Sequence, residues 1–123
     1  ENITPGCSVL DYGTGSGILS ILAAKLGASR VLAVDVDYEC IRAAIDNINI
    51  NNVSNIIDVV HTREIYVGDD RFERSDVTVA NILPGPLTRL VAPLWYLTKP
   101  QGLLCLSGMR PDQLPAVKRV YLP

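Results

Sequence analysis

Apolar residues fall along this chain in two kinds of run, and their alternation predicts the architecture. Ser8 to Asp11, Arg30 to Asp35, Ile56 to Val60, Val77 to Ala80 and Leu103 to Leu106 read as five strands, and Arg30 to Asp35 carries Val31, Leu32, Ala33 and Val34 without alternation. Such a run reads as a strand covered on both faces, as in parallel sheets. Between them lie runs with helical spacing. Ile18 to Leu26 is almost uniformly apolar and predicts a helix buried against a sheet, with Gly27 as its C-cap. From Tyr38 to about Asn49, Ile41, Ala44, Ile45 and Ile48 fall at i, i+3, i+4 and i+7, Arg42, Asp46 and Asn49 face water, and Asp37 can cap the start. Leu87, Leu90, Val91 and Leu94 predict a helix introduced by Pro84, Gly85 and Pro86 and ending near Leu97, with Pro93 forcing a kink or a break into two pieces. Pro111 to about Val120 reads as a last helix.

The remaining segments are connections. Pro5 and Gly6 turn the chain into the first strand, Pro100 and Gly102 turn it into the fifth, and the crowded charges between His61 and Ser75 mark a polar loop with room for one helical turn. Strands alternating with helices through short links give parallel pairing by right-handed crossovers. The predicted fold is α/β, a doubly wound, mostly parallel sheet.

The chemistry concentrates after the first strand. Val9 to Gly17 reads Val-Leu-Asp-Tyr-Gly-Thr-Gly-Ser-Gly, and a helix follows at once. Glycines let a backbone approach a ligand with no Cβ in the way, and the start of a helix offers unpaired N–H groups. A dinucleotide fingerprint would need its third glycine where Ile18 stands; here it comes one position early, at Gly17, which leans away from a pyrophosphate. Asp11 sharpens the choice, because a carboxylate at the strand end repels a pyrophosphate and welcomes the ammonium of an amino-acid-like ligand.

In open α/β sheets ligands lie beyond the carboxyl ends of the strands, at the switch in strand order. Asp11, Asp35, His61, Asn81 and Ser107 stand at such ends. Asp35, closing the second strand, is placed to accept hydrogen bonds from two ribose hydroxyls, while Asp37 serves as the helix cap. His61, the only histidine, reads as an ordinary polar neighbour, and Trp95 and Tyr96 read as packing residues.

Composition narrows the partners. With 123 residues the chain has one domain's worth of length, short for a complete doubly wound enzyme, and its start at Glu1 and stop at Pro123 read as those of a fragment. Apolar runs are too short and interrupted to span a membrane. A net charge of −2 with scattered basic residues gives no field for nucleic acid. Cys7, Cys40 and Cys105 lack metal-ligand spacing and read as buried, reduced thiols of an intracellular protein.

These motifs resemble the first motif of class I methyltransferases, Asp/Glu-x-Gly-x-Gly-x-Gly, matched by Asp11, Gly13, Gly15 and Gly17. Over nearly the whole chain the sequence resembles the ribosomal protein methyltransferases that modify large-subunit protein L-eleven. The resemblance is carried by Asp-Tyr-Gly-Thr-Gly-Ser-Gly-Ile-Leu at 11 to 19, Val-Asp-Val-Asp at 34 to 37, Val-Ala-Asn-Ile-Leu-Pro-Gly-Pro-Leu at 79 to 87, Lys-Pro-Gln-Gly at 99 to 102 and Leu-Ser-Gly-Met at 106 to 109. Asn81-Ile82-Leu83 is its most specific part.

The resemblance implies a Rossmann-like catalytic domain using S-adenosyl-L-methionine, held by Asp11, Gly13, Thr14, Gly15, Gly17, Asp35, Thr62 and Asn81, with Thr62 on the adenine side. It implies methyl transfer to lysine ε-amino groups and an N-terminal α-amino group of the ribosomal protein, with Asn81 orienting the amine and no metal, nucleic acid or membrane involved. The place would be the cytoplasm, or an organelle stroma or matrix. The family's N-terminal recognition domain is absent from this sequence and its seven-stranded sheet incomplete, which leaves Leu103 to Leu106 as an open apolar edge. Two alternatives stand beside this: a class I methyltransferase for another protein lysine or a small amine, and a nicotinamide-binding Rossmann domain.

Overall fold

The computed structural model describes residues 3–65, 71–82 and 89–122. Strands β1 (Ser8–Tyr12), β2 (Arg30–Asp35), β3 (Ile57–His61), β4 (Ser75–Asn81) and β5 (Thr98–Ser107) alternate with helices α1 (Ile18–Lys25), α2 (Tyr38–Ile50), α3 (Val91–Leu97) and α4 (Leu114–Tyr121). They form one parallel sheet in the order β3-β2-β1-β4-β5. The chain winds outward from β1 through β2 to β3, then returns to β1's other side as β4. The carboxyl ends of β1 and β4 are therefore the switch point.

Alternation along β1 assigns the layers. Val9 packs with Ala23, Ala24, Ala44 and Ile48 of α1 and α2. Leu10 and Tyr12 point the other way, to Leu94 and Leu97 of α3 and Val117 and Tyr121 of α4. All five β1 residues are buried. Among the described residues no helix is long and apolar enough to cross a membrane.

Several details depart from expectation. Helix α1 touches the sheet through Ser20, Ala23 and Ala24, whereas Ile18 and Leu22 are 68% and 49% exposed. Small residues permit close approach to the strands, so the large side chains turn outward. On α2, Ala44 and Ile48 are buried as expected, but Ile45 is exposed. The interruption expected of Pro93 is found just before it: Arg89 is helical, Leu90 is not, and α3 starts at Val91, which leaves the proline in the first turn, where no N–H partner is needed. The expected helix start at 84–87 lies outside the described residues. The turn at Pro100 and Gly102 is absorbed into β5 as an irregularity: pairing jumps from Ser75 with Thr98 to Val77 with Leu103, and Gln101 takes φ 66°. Of the cysteines only Cys7 is buried; Cys40 is half-buried, Cys105 lies on the more exposed face of β5, and all three are free thiols. Leu103 on that edge is exposed, as anticipated.

At the amino end of the sheet one carboxylate ties three strands. Asp76 Oδ2 accepts from the Ser8 backbone N–H at 2.8 Å and the Ser8 hydroxyl at 3.1 Å, and Oδ1 accepts from Lys99 Nζ at 2.8 Å. The Lys99 ammonium, then the Ser8 N–H, lower the Asp76 carboxyl from 3.8 to about 2. Its stabilising effect is complete above 3.8, the unfolded value, and is lost as pH falls through about 2. With its side chain 40% exposed, salt screens the interaction. Asp76→Asn should remove this dependence: between about pH 4 and 2 the parent's melting temperature should fall more steeply than the variant's. Parallel pH curves in thermal unfolding would contradict it.

Candidate functional site

The loop from Tyr12 to Gly17 turns over the end of β2. Gly13 and Thr14 both donate backbone N–H groups to the Val34 carbonyl, at 2.8 and 2.9 Å, and the Gly17 N–H closes on the Thr14 carbonyl at 2.9 Å. Gly13 adopts φ +86°, and a Cβ there would collide with the Ile82 side chain and press within 3.2 Å of the Asn81 carbonyl oxygen. Its glycine thus lets the loops after β1 and β4 meet. Gly15, at φ +57°, is different: a Cβ there would meet nothing within 4 Å and would enter open space above the loop.

Asp11 does not face that space. It shares a face of β1 with Val9, so its side chain lies under the loop against α1, 1% exposed. Its Oδ2 accepts from the Thr14 hydroxyl at 2.8 Å and the Ser20 hydroxyl at 2.7 Å, and the two hydroxyls lie 3.2 Å apart. Oδ1 is buried without a partner. Burial raises the Asp11 carboxyl above its ordinary range, against the opposing pull of the Ser20 and Thr14 hydroxyls. Thr14, also buried, and Gly17, which precedes α1, likewise belong to the loop's framework. Through Oδ2 this carboxylate ties the loop to α1 from below.

Asp35 reaches the cavity side. Its Oδ2 accepts the Gly15 N–H at 2.9 Å and its Oδ1 the Asp37 N–H at 3.0 Å. Each oxygen keeps capacity for a further donor. Asp37 caps α2, accepting from the Glu39 N–H at 2.9 Å. Past Asp35 a cavity of about 670 Å³ opens at the switch point, within the range of small-molecule sites. Gly13, Gly15, Asp35, Thr62 and Asn81, all singled out in the sequence, line it.

Tyr12, Val36, Ile82, Arg89 and Leu90 complete the lining and were not anticipated. The signal for Val36 was present, a valine between two aspartates just past a strand. Arg89, a cation within an apolar helical pattern, offered a weaker one. Thr62 opens a short 3-10 turn, Thr62–Glu64, after β3. A second groove of about 660 Å³ runs between β5 and α4, lined largely by apolar groups such as Trp95, Leu104 and Leu106. It lies off the switch point and gathers none of the strand-end residues.

The burial of Asp11 has a pH signature. Its folded value lies above the unfolded 3.8, so ionisation disfavours the folded state and the parent gains stability as pH falls toward 3.8. Asp11→Asn lacks this gain. The difference in melting temperature, parent minus variant, should move in the parent's favour between about pH 7 and 4; a constant difference would contradict the buried, strained carboxylate.

With this geometry in place, comparison with known proteins is informative. The family model for PrmA, ribosomal protein L11 methyltransferase, matches residues 1–122. The ribosomal protein L11 methyltransferase of Tolumonas auensis is 42% identical over 118 residues, which cover 94% of this chain and 38% of that protein. The crystal structure of ribosomal protein L11 methylase from Lactobacillus delbrueckii subsp. bulgaricus superposes with TM-score 0.76 at 36% identity, covering 94% of this chain and 58% of that one. The Trypanosoma brucei PRMT1 enzyme-prozyme complex with AdoHcy gives TM-score 0.69 at 26% identity, over 84% of this chain and 33% of that one. The chain thus spans a little over a third of the length of the curated relatives it matches. On a match that runs from end to end of the described sheet and its glycine loop, the chain belongs to the ribosomal protein L11 methyltransferase family.

Proposed function

We propose that this domain binds S-adenosyl-L-methionine in the switch-point cavity and transfers its methyl group to protein amines. The observation that carries the reading is the cradle between Gly15 and Asp35. A glycine that faces open space is hydrogen-bonded to a carboxylate with capacity for ribose hydroxyls, and Asn81 stands on the opposite wall. The family relationship and the AdoHcy of the trypanosomal complex support the same ligand.

When bound, the cofactor supplies an electrophilic methyl on a sulfonium with a good leaving group. The protein's part is alignment and exclusion of water. Asp35 takes the ribose hydroxyls, Gly13 and Gly15 leave room along the loop, and Tyr12 and Leu90 give the cavity apolar walls. Asn81 is exposed at the end of β4 and its side-chain oxygen sits beside Gly108, where a Cβ would come within 3.0 Å of it. A neutral amide oxygen there accepts an N–H of the incoming amine and turns the nitrogen lone pair toward the methyl. A carboxylate would instead favour the unreactive ammonium. Asp11, Thr14 and Gly17 serve by holding the loop in shape.

We infer from the family that the substrate is ribosomal protein L11, methylated on lysine ε-amino groups, its N-terminal α-amino group, or both, in the cytoplasm or an organelle matrix. The alternative reading is a class I methyltransferase acting on another protein lysine or a small amine. In the whole protein that carries this sequence, S-adenosylhomocysteine should raise the melting temperature and NAD should not; the reverse would assign a nicotinamide site. Asp35→Ala should weaken S-adenosylhomocysteine binding by about 1.5–3 kcal/mol, the scale of hydrogen bonds to a charged group. Titration calorimetry showing parental affinity would remove Asp35 from the site. Asn81→Ala should lower kcat on an L11 peptide by about 10²-fold with cofactor affinity retained, and Asn81→Asp should keep partial activity with its optimum at higher pH. Parental turnover in Asn81→Ala would leave the residue structural.

A further inference from the structure

His61 takes no part in the mechanism above, yet its ring joins three segments that meet at one wall of the cavity. It is 8% exposed. The Arg63 backbone N–H points to Nδ1 at 3.0 Å, and since an amide N–H only donates, Nδ1 carries the lone pair. The hydrogen-bond pattern therefore assigns the ring proton to Nε2, which donates to the Val36 carbonyl at 2.8 Å. The His61 backbone N–H is bonded to Glu64 Oε2 at 2.8 Å, completing a reciprocal cap on the Thr62–Glu64 turn. One ring face stacks on Tyr38, the first residue of α2, with centroids 4.4 Å apart and planes at 21°.

These bonds stand where the sheet stops. The β2–β3 ladder ends with Asp35 opposite His61, and beyond it β3 turns away into Thr62–Glu64. The Val36 carbonyl has lost its strand partner, and the imidazole supplies the missing rung. Val36 itself is 69% exposed and lines the cavity together with Thr62, on the side of Asp35 away from Asn81. A base attached to a ribose held by Asp35 lies on this side, where Val36 presents bare apolar surface.

We propose that His61 is a positioning residue that fixes Val36 and Thr62 as the nucleoside-side wall, and so sets affinity for the nucleoside half of the cofactor rather than the rate of methyl transfer. This rests on reading the cavity as the S-adenosylmethionine site. Without the ring, the wall must be ordered at the moment of binding, which weakens affinity without touching the reacting end.

The test uses the whole protein, titrated with S-adenosylhomocysteine and with adenosine. Relative to the parent, His61→Ala should raise both Kd values by about tenfold and raise the KM for cofactor, while kcat at saturating cofactor holds. His61→Asn keeps an acceptor for the Arg63 N–H, and His61→Gln keeps a donor long enough for Val36, so each should restore part of the loss. If His61→Ala melts below the assay temperature, these two variants carry the comparison. Parental Kd values in the variants, a loss for S-adenosylhomocysteine but not adenosine, or a fall in kcat with KM unchanged would each overturn the proposal. A parent that binds neither ligand would overturn the cofactor reading itself, before any variant is compared.

Discussion

The functional end of this domain depends on β1 lying between β2 and β4 in one parallel sheet. That placement makes the carboxyl end of β1 the point where the strand order reverses, and the cavity opens there. The other site features are fitted to it. Gly13 lets the loop after β1 pass against the Asn81 backbone and the Ile82 side chain, and the Val34 carbonyl receives two N–H groups of that loop. Asp35 then reaches across to Gly15 and joins the loop to β2.

Two carboxylates that look equivalent in the sequence are separated by the pleat. Asp11 sits one residue before the end of β1 and faces α1, where two hydroxyls hold one oxygen and the other is stranded. Asp35 closes β2 with its side chain at the rim, bonded to backbone N–H groups and open to further donors. Burial raises the first carboxyl, and its service is to keep the loop in shape. The second lines the cavity with acceptor capacity to spare.

Much of this was legible in the chain. Short apolar runs alternating with helical patterns predicted five parallel strands, Asp35 and Asn81 were located by standing at strand ends, and Thr62 by the family resemblance. What sequence pattern conceals is direction. The mixture of small and large apolar residues in α1 does not say which face meets the sheet; the short side chains won because they allow closer packing. A glycine motif does not say that its acid points beneath the loop, since that follows from the register of β1 against α1. His61 looked ordinary because its importance lies in the Val36 carbonyl, a backbone group that no residue type announces.

A crystal structure of the whole protein with S-adenosylhomocysteine tests the orientation of the site most directly. The ribose hydroxyls should lie within hydrogen-bond distance of the Asp35 carboxylate, the base against Val36 and Thr62, and the sulfur toward Asn81. A ligand seated the other way round, with its base at Asn81, or bound instead in the groove beside β5, would contradict it.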